Sequence, residues 1–294
     1  MRELDQRTIT DETTQRFDNC ADSRLKQVMT ALVRHLHNFV REVELTEDEW
    51  AFAIDFLTRT GQMCNDTRQE FILLSDTLGV STLVDGLNNR MPPGATRSTV
   101  LGPFFVEAAP EAESGSDIDG GSGRGEPLYA EAFVGDTEGR PVAGATVDVW
   151  HSDDEGYYDV QRGDGKTLAR RARFITDADG RIHFWSTLPA SYPVPHDGPV
   201  GEMLKATGRH PWRPAHVHFM IRASGYHRLI THIFVAGDQY LDSDAVFGVK
   251  ESLVKEYESR RPGIAPDGKV MDRPYRTLFY RFGLRSAVPA KQTA

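Results

Sequence analysis

Two histidines one residue apart, His216 and His218, stand in the run Arg213-Pro-Ala-His-Val-His-Phe-Met-Ile. Polar and apolar residues alternate from His216 to Ile221, the pattern of a β-strand. Successive side chains of a strand point to opposite faces, so His216, His218 and Met220 share one face and Val217, Phe219 and Ile221 the other. Two imidazoles on one face can reach a single metal ion. Pro211 and Pro214 stiffen the entry, and Arg213 sits beside the first histidine. Two further places carry metal-capable side chains: Tyr157 and Tyr158 in Trp150-His-Ser-Asp-Asp-Glu-Gly-Tyr-Tyr-Asp, and Tyr192 in Leu188-Pro-Ala-Ser-Tyr-Pro-Val-Pro. A tyrosine in such a place is ordinarily a packed ring. It becomes a ligand only beside a strongly Lewis-acidic cation that stabilises the phenolate, and ferric iron is the usual one. Zinc prefers His, Cys or carboxylate. A ferrous oxygenase site needs two His and one carboxylate, and no carboxylate stands at a compelling spacing from His216 and His218.

At 294 residues the chain can hold one large domain or two ordinary ones. Hydrophobic content of 39% and charged content of 26% belong to a globular protein with a core. A net charge of −9 argues against nucleic acid as a partner, because phosphate binding needs a basic face. No apolar run approaches the length of a membrane span, and residues 1–22 are too polar for a secretory signal. The two cysteines, Cys20 and Cys64, show no Cys-x-x-Cys spacing. Reduced thiols and a cytoplasmic location are the expectation.

The elements that must position these residues fall into two stretches. Leu25, Val28, Met29, Leu32, Val33, Leu36, Phe39, Val40 and Val43 recur at the helical period. His35 and His37 read as ordinary histidines of that helix surface. Thr46 with Glu49 makes a capping box for a second helix through Trp50, Ile54 and Leu57, which Gly61 can close. Asp66 with Gln69 looks like a third start, and Ser81 a cap for a fourth through Leu83, Val84 and Leu87. These helices carry more apolar surface than they can bury among themselves, and a subunit interface is one outlet. Residues 111–126, rich in Gly, Ser and Asp, have neither a strand before nor a helix after them and read as a flexible surface loop rather than a phosphate cradle. From Pro127 the rhythm changes to short strands and tight turns. Strands are expected at 128–134 and 145–151 around Asp136-Thr-Glu-Gly, at 174–176 and 181–186 around Asp177-Ala-Asp-Gly, and at 216–222, 229–235 and 276–282, with one helix near 249–259. Gly139-Arg-Pro-Val-Ala-Gly-Ala-Thr-Val-Asp-Val resembles a strand–turn–strand of prealbumin-like sandwiches. The expected class is α+β, with a helical dimerisation module over 1–105 and an antiparallel prealbumin-like β-sandwich over 106–294 that carries the site.

The three segments together resemble the intradiol ring-cleavage dioxygenases. The likeness runs in order and spacing through Trp150-His-x-x-x-x-Gly-x-Tyr158, Tyr192-Pro-Val-Pro-x-Asp-Gly-Pro and Arg213-Pro-Ala-His216-x-His218, and extends from the helices to beyond Tyr280. The resemblance implies a non-haem Fe(III) enzyme, one iron per chain, with Tyr158, Tyr192, His216 and His218 as ligands. Tyr157 falls at a variable position and is the second choice. Thr231-His-Ile-Phe-Val-x-Gly-Asp, Ser81-Thr-Leu-Val-Asp-x-Leu-Asn and Ser98-Thr-Val-Leu-Gly-Pro-Phe are similar to the hydroxyquinol-cleaving branch, with His232 where catechol-cleaving members commonly carry Gln. That branch implies conversion of hydroxyquinol and O2 to 3-hydroxy-cis,cis-muconate, the enol form of maleylacetate, in aromatic catabolism. Tyr192 is then the base that takes a substrate proton and Arg213 the cation facing charge on the ring, with His232 beside them. Family position makes Asp85, Val100, Leu101, Gly102, Pro103, Phe104, Val194, Pro195 and Val246 the substrate pocket, with Asp85 a partner for the third hydroxyl. Members of the branch are homodimers through their N-terminal helices, often around bound phospholipid. The glycine-rich insert near Gly120 departs from the family. Two other readings stand beside this one: a catechol or chlorocatechol dioxygenase, and a prealbumin-like binding module without catalysis. The sequence also suggests that Tyr158 closes a strand while Tyr192 stands outside any ladder and can swing away.

Overall fold

The structure, a computed structural model, describes residues 5–65, 68–162 and 168–287. Contacts divide the chain into two compact units, Met1–Gln62 and Met63–Ala294. The first holds α1 (Ile9–Gln15), α2 (Ser23–Glu42) and α3 (Glu47–Gln62). Asp22 starts α2 by accepting from the amides of Arg24 and Leu25. The expected box starts α3: the Glu49 carboxylate accepts from the Thr46 amide at 2.9 Å and the Thr46 hydroxyl accepts from the Glu49 amide at 3.3 Å. Gly61 does not end α3, which runs on to Gln62. The Arg41 guanidinium ties α2 to the chain entering α1 by donating to the Gln6 carbonyl at 2.7 Å. The apolar stripe of α2 faces outward, with Leu25, Val28, Leu32, Leu36, Phe39, Val40 and Val43 between 43% and 52% exposed.

The second unit opens with α4 (Glu70–Thr77) and α5 (Val80–Asn88). Asp66, expected to start α4, lies outside the described residues. Gly79, at φ +74°, precedes α5, and Ser81 falls inside its first turn, where its hydroxyl bonds that of Ser75 at 2.8 Å. The strands follow: β1 (Pro127–Asp136), β2 (Thr146–His151), β3 (Arg171–Ile175), β4 (Arg181–Thr187) and β5 (Tyr192–Pro193). After α6 (Pro199–Ala206) come β6 (Trp212–Arg213), β7 (His216–Arg222), β8 (Leu229–Val235), β9 (Val254–Lys255), β10 (Glu258–Arg260), β11 (Gly263–Ile264), β12 (Val270–Met271) and β13 (Tyr275–Leu284). One sheet has the order β10-β13-β1-β4, a second β3-β2-β7-β8-β9, and β5-β6 and β11-β12 form small ribbons.

The two Asp-Gly turns each carry the chain from one sheet to the other, from β1 to β2 and from β3 to β4. Three expectations change. The sheets are not wholly antiparallel, because β13 lies parallel to β1 and β9 parallel to β8. A parallel pair needs a long crossover, and the whole second sheet supplies one between β1 and β13. No helix forms near 249–259. A 3-10 turn (Glu251–Leu253), β9 and β10 take its place, because Leu253 and Tyr257 enter the core and Val254 pairs with Phe234. The 111–126 segment is held rather than loose, by bridges from Glu111 to Arg173 and Asp117 to Trp185 and by burial of Ile118.

One hydrophobic cluster draws on both larger sheets, with Leu128, Val134, Ile182, Phe184 and Phe282 from one and Val147, Val149 and Phe174 from the other. Val217, Phe219 and Ile221 of β7 belong to it. Met220 belongs instead to a separate cluster with Phe104, Trp150, Tyr158 and Tyr192. The period-2 alternation of β7 therefore sends its histidine face to the aromatic cluster and its aliphatic face to the core. Among the described residues no helix is long and apolar enough to cross a membrane.

Candidate metal centre

Strand β7 fixes the two histidines by its ladder to β2 and β8. His216 Nδ1 lies 2.7 Å from the Pro214 carbonyl, which can only accept, so the proton sits on Nδ1. That leaves Nε2 bare, 3.0 Å from Nε2 of His218. The same His218 nitrogen is 3.0 Å from the Tyr158 hydroxyl. The Trp150 indole stacks on His218, ring centroids 4.6 Å apart. On its flank Gly102 turns at φ +77°, where an added Cβ would stand 3.2 Å from His218 Cε1, so glycine lets the backbone pass against the ring.

The tyrosines are held otherwise than their sequence suggests. Tyr158 does not close a strand: β2 ends at His151, and Tyr158 precedes the 3-10 turn Asp159–Gln161 with its amide donating to the Gln161 side chain at 2.9 Å. Its ring is fully buried, stacked on Phe104 with centroids 4.4 Å apart and edge-on to Tyr192. Tyr192 is not outside a ladder, because it pairs with Arg213 in the β5-β6 ribbon. Gly156, at φ +87°, lets the two tyrosine segments touch, since a Cβ there would lie 2.6 Å from the Ser191 carbonyl oxygen. Tyr157 turns away, half exposed beneath the Arg162 guanidinium.

Arg213 is buried, 1% exposed, and is no surface ion pair. Its Nε donates to Asp244 Oδ1 at 3.0 Å and its Nη1 to the Tyr192 hydroxyl at 3.3 Å. Nη2 reaches Asp244 Oδ2 at 3.3 Å and His232 Nδ1 at 3.4 Å. The three imidazoles of His216, His218 and His232 bring nitrogens within 4.8 Å of one another. His232, however, has both nitrogens engaged: Nε2 donates to the Val100 carbonyl at 2.9 Å, so Nδ1 is the acceptor facing Arg213. Burial pushes His216 down to about 3, and pushes His218 and His232 well below their ordinary range. Burial, reinforced by the neighbouring Tyr192 oxygen, holds the Tyr158 hydroxyl far above its usual pKa. A neutral imidazole with a bare Nε2, that of His216, and the neutral His218 ring therefore stand beside the Tyr158 phenol, which burial keeps protonated unless a cation faces it. That is the chemistry of a metal-binding donor set.

A sequence profile described as "Dioxygenase" matches residues 100–285, and one described as "Catechol dioxygenase N terminus" matches residues 22–96. The chain belongs to the intradiol dioxygenase family. This dioxygenase is 53% identical, over 92% of each chain, to hydroxyquinol 1,2-dioxygenase of Nocardioides simplex. Its fold is similar to that of a hydroxyquinol 1,2-dioxygenase from Pseudomonas putida, with TM-score 0.89 and 49% identity over 96% of this chain and 98% of that one. It is also similar to catechol 1,2-dioxygenase from Pseudomonas arvilla, with TM-score 0.83 and 31% identity over 98% of this chain and 94% of that one.

In this intradiol dioxygenase a cleft of about 790 Å³ is lined by Phe104, the ring that contacts both Tyr158 and Tyr192. Of the expected pocket residues, Pro103, Phe104, Val194 and Pro195 line this cleft. The other expected pocket residues lie elsewhere. Asp85 accepts from Lys250 Nζ at 3.0 Å and from Asn89 Nδ2 at 2.9 Å. Val246 packs with Val194, Val200 and Leu204, and Val100 lends its carbonyl to His232. Leu101 is partly exposed and Gly102 abuts His218. Two acids outside the expected set also stand here. Asp244 holds Arg213. Asp76 is a buried carboxyl on the cleft wall. Burial raises its pKa, with Ser81 and Arg213 opposing the shift. Asp76 follows an apolar run at the end of α4 and reads in sequence as a helix-end residue; only the packing of α4 shows where it faces.

Proposed function

We propose that this chain cleaves hydroxyquinol with dioxygen, breaking the ring bond between two hydroxyl-bearing carbons to give 3-hydroxy-cis,cis-muconate, the enol form of maleylacetate. The observation that carries the reading is the meeting of Tyr158 Oη, His216 Nε2 and His218 Nε2 in successive steps of 3.0 Å, beside Tyr192 and Arg213. Two phenols and two neutral imidazoles, with no thiolate or carboxylate among them, fit ferric iron better than zinc or a ferrous site. Tyr158, Tyr192, His216 and His218 are the residues that would hold one Fe(III) per chain, which supplies a Lewis acid and a template for the vicinal oxygens of the substrate.

The protein's own groups do the rest. Tyr192, whose oxygen stands in reach of the Arg213 guanidinium, accepts a substrate proton. Arg213 is a preorganised cation, out of water and held by Asp244, for negative charge that develops on the ring. His232 is the third member of this group, its tautomer fixed by Val100 so that Nδ1 orients Arg213. Phe104, Val194 and Pro195 pack the ring. Asp76 takes the role first given to Asp85, accepting the third hydroxyl of hydroxyquinol.

The choice of hydroxyquinol over catechol or a chlorocatechol is supported by the 49% identity to the hydroxyquinol enzyme of similar fold against 31% to the catechol enzyme. Initial rates on hydroxyquinol and catechol should give a specificity constant for hydroxyquinol at least about tenfold higher, equivalent to about 1.4 kcal/mol in transition-state binding. Asp76→Ala should shrink that ratio. Equal or better turnover of catechol defeats the substrate assignment and leaves the family standing.

We also read residues 1–105 as a dimerisation module and 106–294 as a prealbumin-like sandwich, working in the cytoplasm. The outward stripe of α2 supports a homodimer with phospholipid at its interface. The family profiles separate between residues 96 and 100, whereas the compact units separate after Gln62. Light scattering on the full-length protein should give the mass of a dimer; a monomer at micromolar concentration refutes that part.

A further inference from the structure

One row of paired residues crosses four strands of the larger sheet: Arg171 on β3, Trp150 on β2, His218 on β7 and His232 on β8. Residues paired across strands point to the same face, so Arg171 stands on the face of the candidate metal centre. Arg171 and its partner Asp159 each have side chains only 2% exposed. Arg171 Nε donates to Asp159 Oδ2 at 2.6 Å, and Nη2 binds Oδ1 of the same carboxylate. The remaining arm, Nη1, donates to the Phe104 carbonyl at 3.0 Å. Asp159 follows Tyr158 directly and closes its own turn by accepting from the amides of Val160 at 2.8 Å and Ala169 at 3.0 Å. Phe104 stacks on the Tyr158 ring.

We propose that Arg171 is the positioning residue of the centre, setting the separation of Tyr158 from His218 and the placement of the Phe104 wall in one stroke. Neither the Tyr158 turn nor the segment around Phe104 belongs to a sheet, so no ladder fixes either against β7. The planar guanidinium has enough donors to clamp a carboxylate with two and a carbonyl with a third, and its own backbone is fixed opposite Trp150. A buried ion pair of this kind contributes little net stability compared with apolar residues of the same volume, and its value here lies in the geometry it imposes. Groups that orient metal ligands act in the same way on affinity. The proposal rests on the iron reading above, and its test separates the two.

Arg173 provides a matched control. It stands two residues along β3, on the same face, and holds a buried carboxylate, Asp148, at 2.7 Å and a backbone carbonyl, Glu107, at 2.9 Å, in contact with none of the four candidate ligands. Full-length Arg171→Lys and Arg173→Lys are compared with wild type after iron loading, by chelator competition, visible absorbance and thermal midpoint. Arg171→Lys should bind iron about 10- to 100-fold more weakly, with a shifted visible band. Arg173→Lys should match wild type in both, whatever each variant loses in midpoint. Should Arg171→Lys not fold, Asp159→Asn, which keeps shape and removes charge, should show the same weakening and shift. Iron affinity and band unchanged in the folded variant, or equally changed in Arg173→Lys, overturns the positioning role. A wild type that takes up no iron overturns the iron reading instead.

Discussion

Asp244→Asn should lose about 3–5 kcal/mol of stability and nearly all turnover, the largest effect expected from a side chain that is not itself a candidate ligand. Asp244 is the sole carboxylate bonded to the buried Arg213 among the described residues, through Nε and Nη2. Burial alone would raise its pKa, but the Arg213 charge outweighs that cost and holds the carboxyl below its ordinary value. The asparagine leaves a guanidinium out of water with no bonded carboxylate among the described residues. A carboxyl with a depressed folded pKa contributes stability that is fully present above its unfolded value of about 4 and is lost as pH falls through the folded value. The deficit of Asp244→Asn measured by urea unfolding should therefore stay flat from about pH 5 to 8. Replacing both partners, Arg213→Met with Asp244→Leu, should recover most of the stability, since matched apolar groups tolerate the site. It should not recover activity, since Tyr192 loses its cation. An Asp244→Asn protein as stable as wild type means that Arg213 does not depend on this partner.

Tyr158→Phe and Tyr192→Phe should differ widely. Tyr158 sits in an aromatic cluster, and its hydroxyl faces His218 and Tyr192, with no cationic hydrogen-bond partner among the described residues. Tyr192 has a second partner, because Arg213 Nη1 donates to its oxygen at 3.3 Å. A tyrosine oxygen that a fixed cation can receive is the one able to exchange partners when substrate arrives. The backbone freedom suggested by the prolines around Tyr192 plays no part, since the β5-β6 ribbon holds that segment. Tyr158→Phe should weaken iron binding by more than about 100-fold, beyond the range for groups that only orient a ligand. Tyr192→Phe should keep most of its iron and be slow to deprotonate bound hydroxyquinol, followed by anaerobic mixing. Equal iron loss in the two variants, or deprotonation at the wild-type rate in Tyr192→Phe, removes the distinction.

The sequence made the strand and its histidine face legible because alternation is local: the expected 216–222 is the observed β7, and Val217, Phe219 and Ile221 do reach the core. The tyrosines were legible through motif order, and their supports were not. Tyr158 is placed by a 3-10 turn whose anchor, Arg171, lies twelve or more residues on and pairs through tertiary contact. Asp244 lies 31 residues beyond Arg213 in a loop that has no period to read. Asp76 and Asp85 are both acids on helices of the same segment, and only packing decides that Asp85 meets Lys250 while Asp76 faces the cleft. The false helix at 249–259 arose because Leu253 and Tyr257 share a helical spacing; burial of both on an irregular 3-10 turn and short strands satisfied the same pattern.

The central claim is that Tyr158, Tyr192, His216 and His218 form a ferric site, and the visible spectrum of the full-length protein with its iron content tests it most directly. Two coordinated tyrosinates predict a concentrated solution that is red to burgundy, with about one iron per chain and a band that changes when hydroxyquinol is added without oxygen. A preparation that stays colourless and takes up no iron after reconstitution contradicts it.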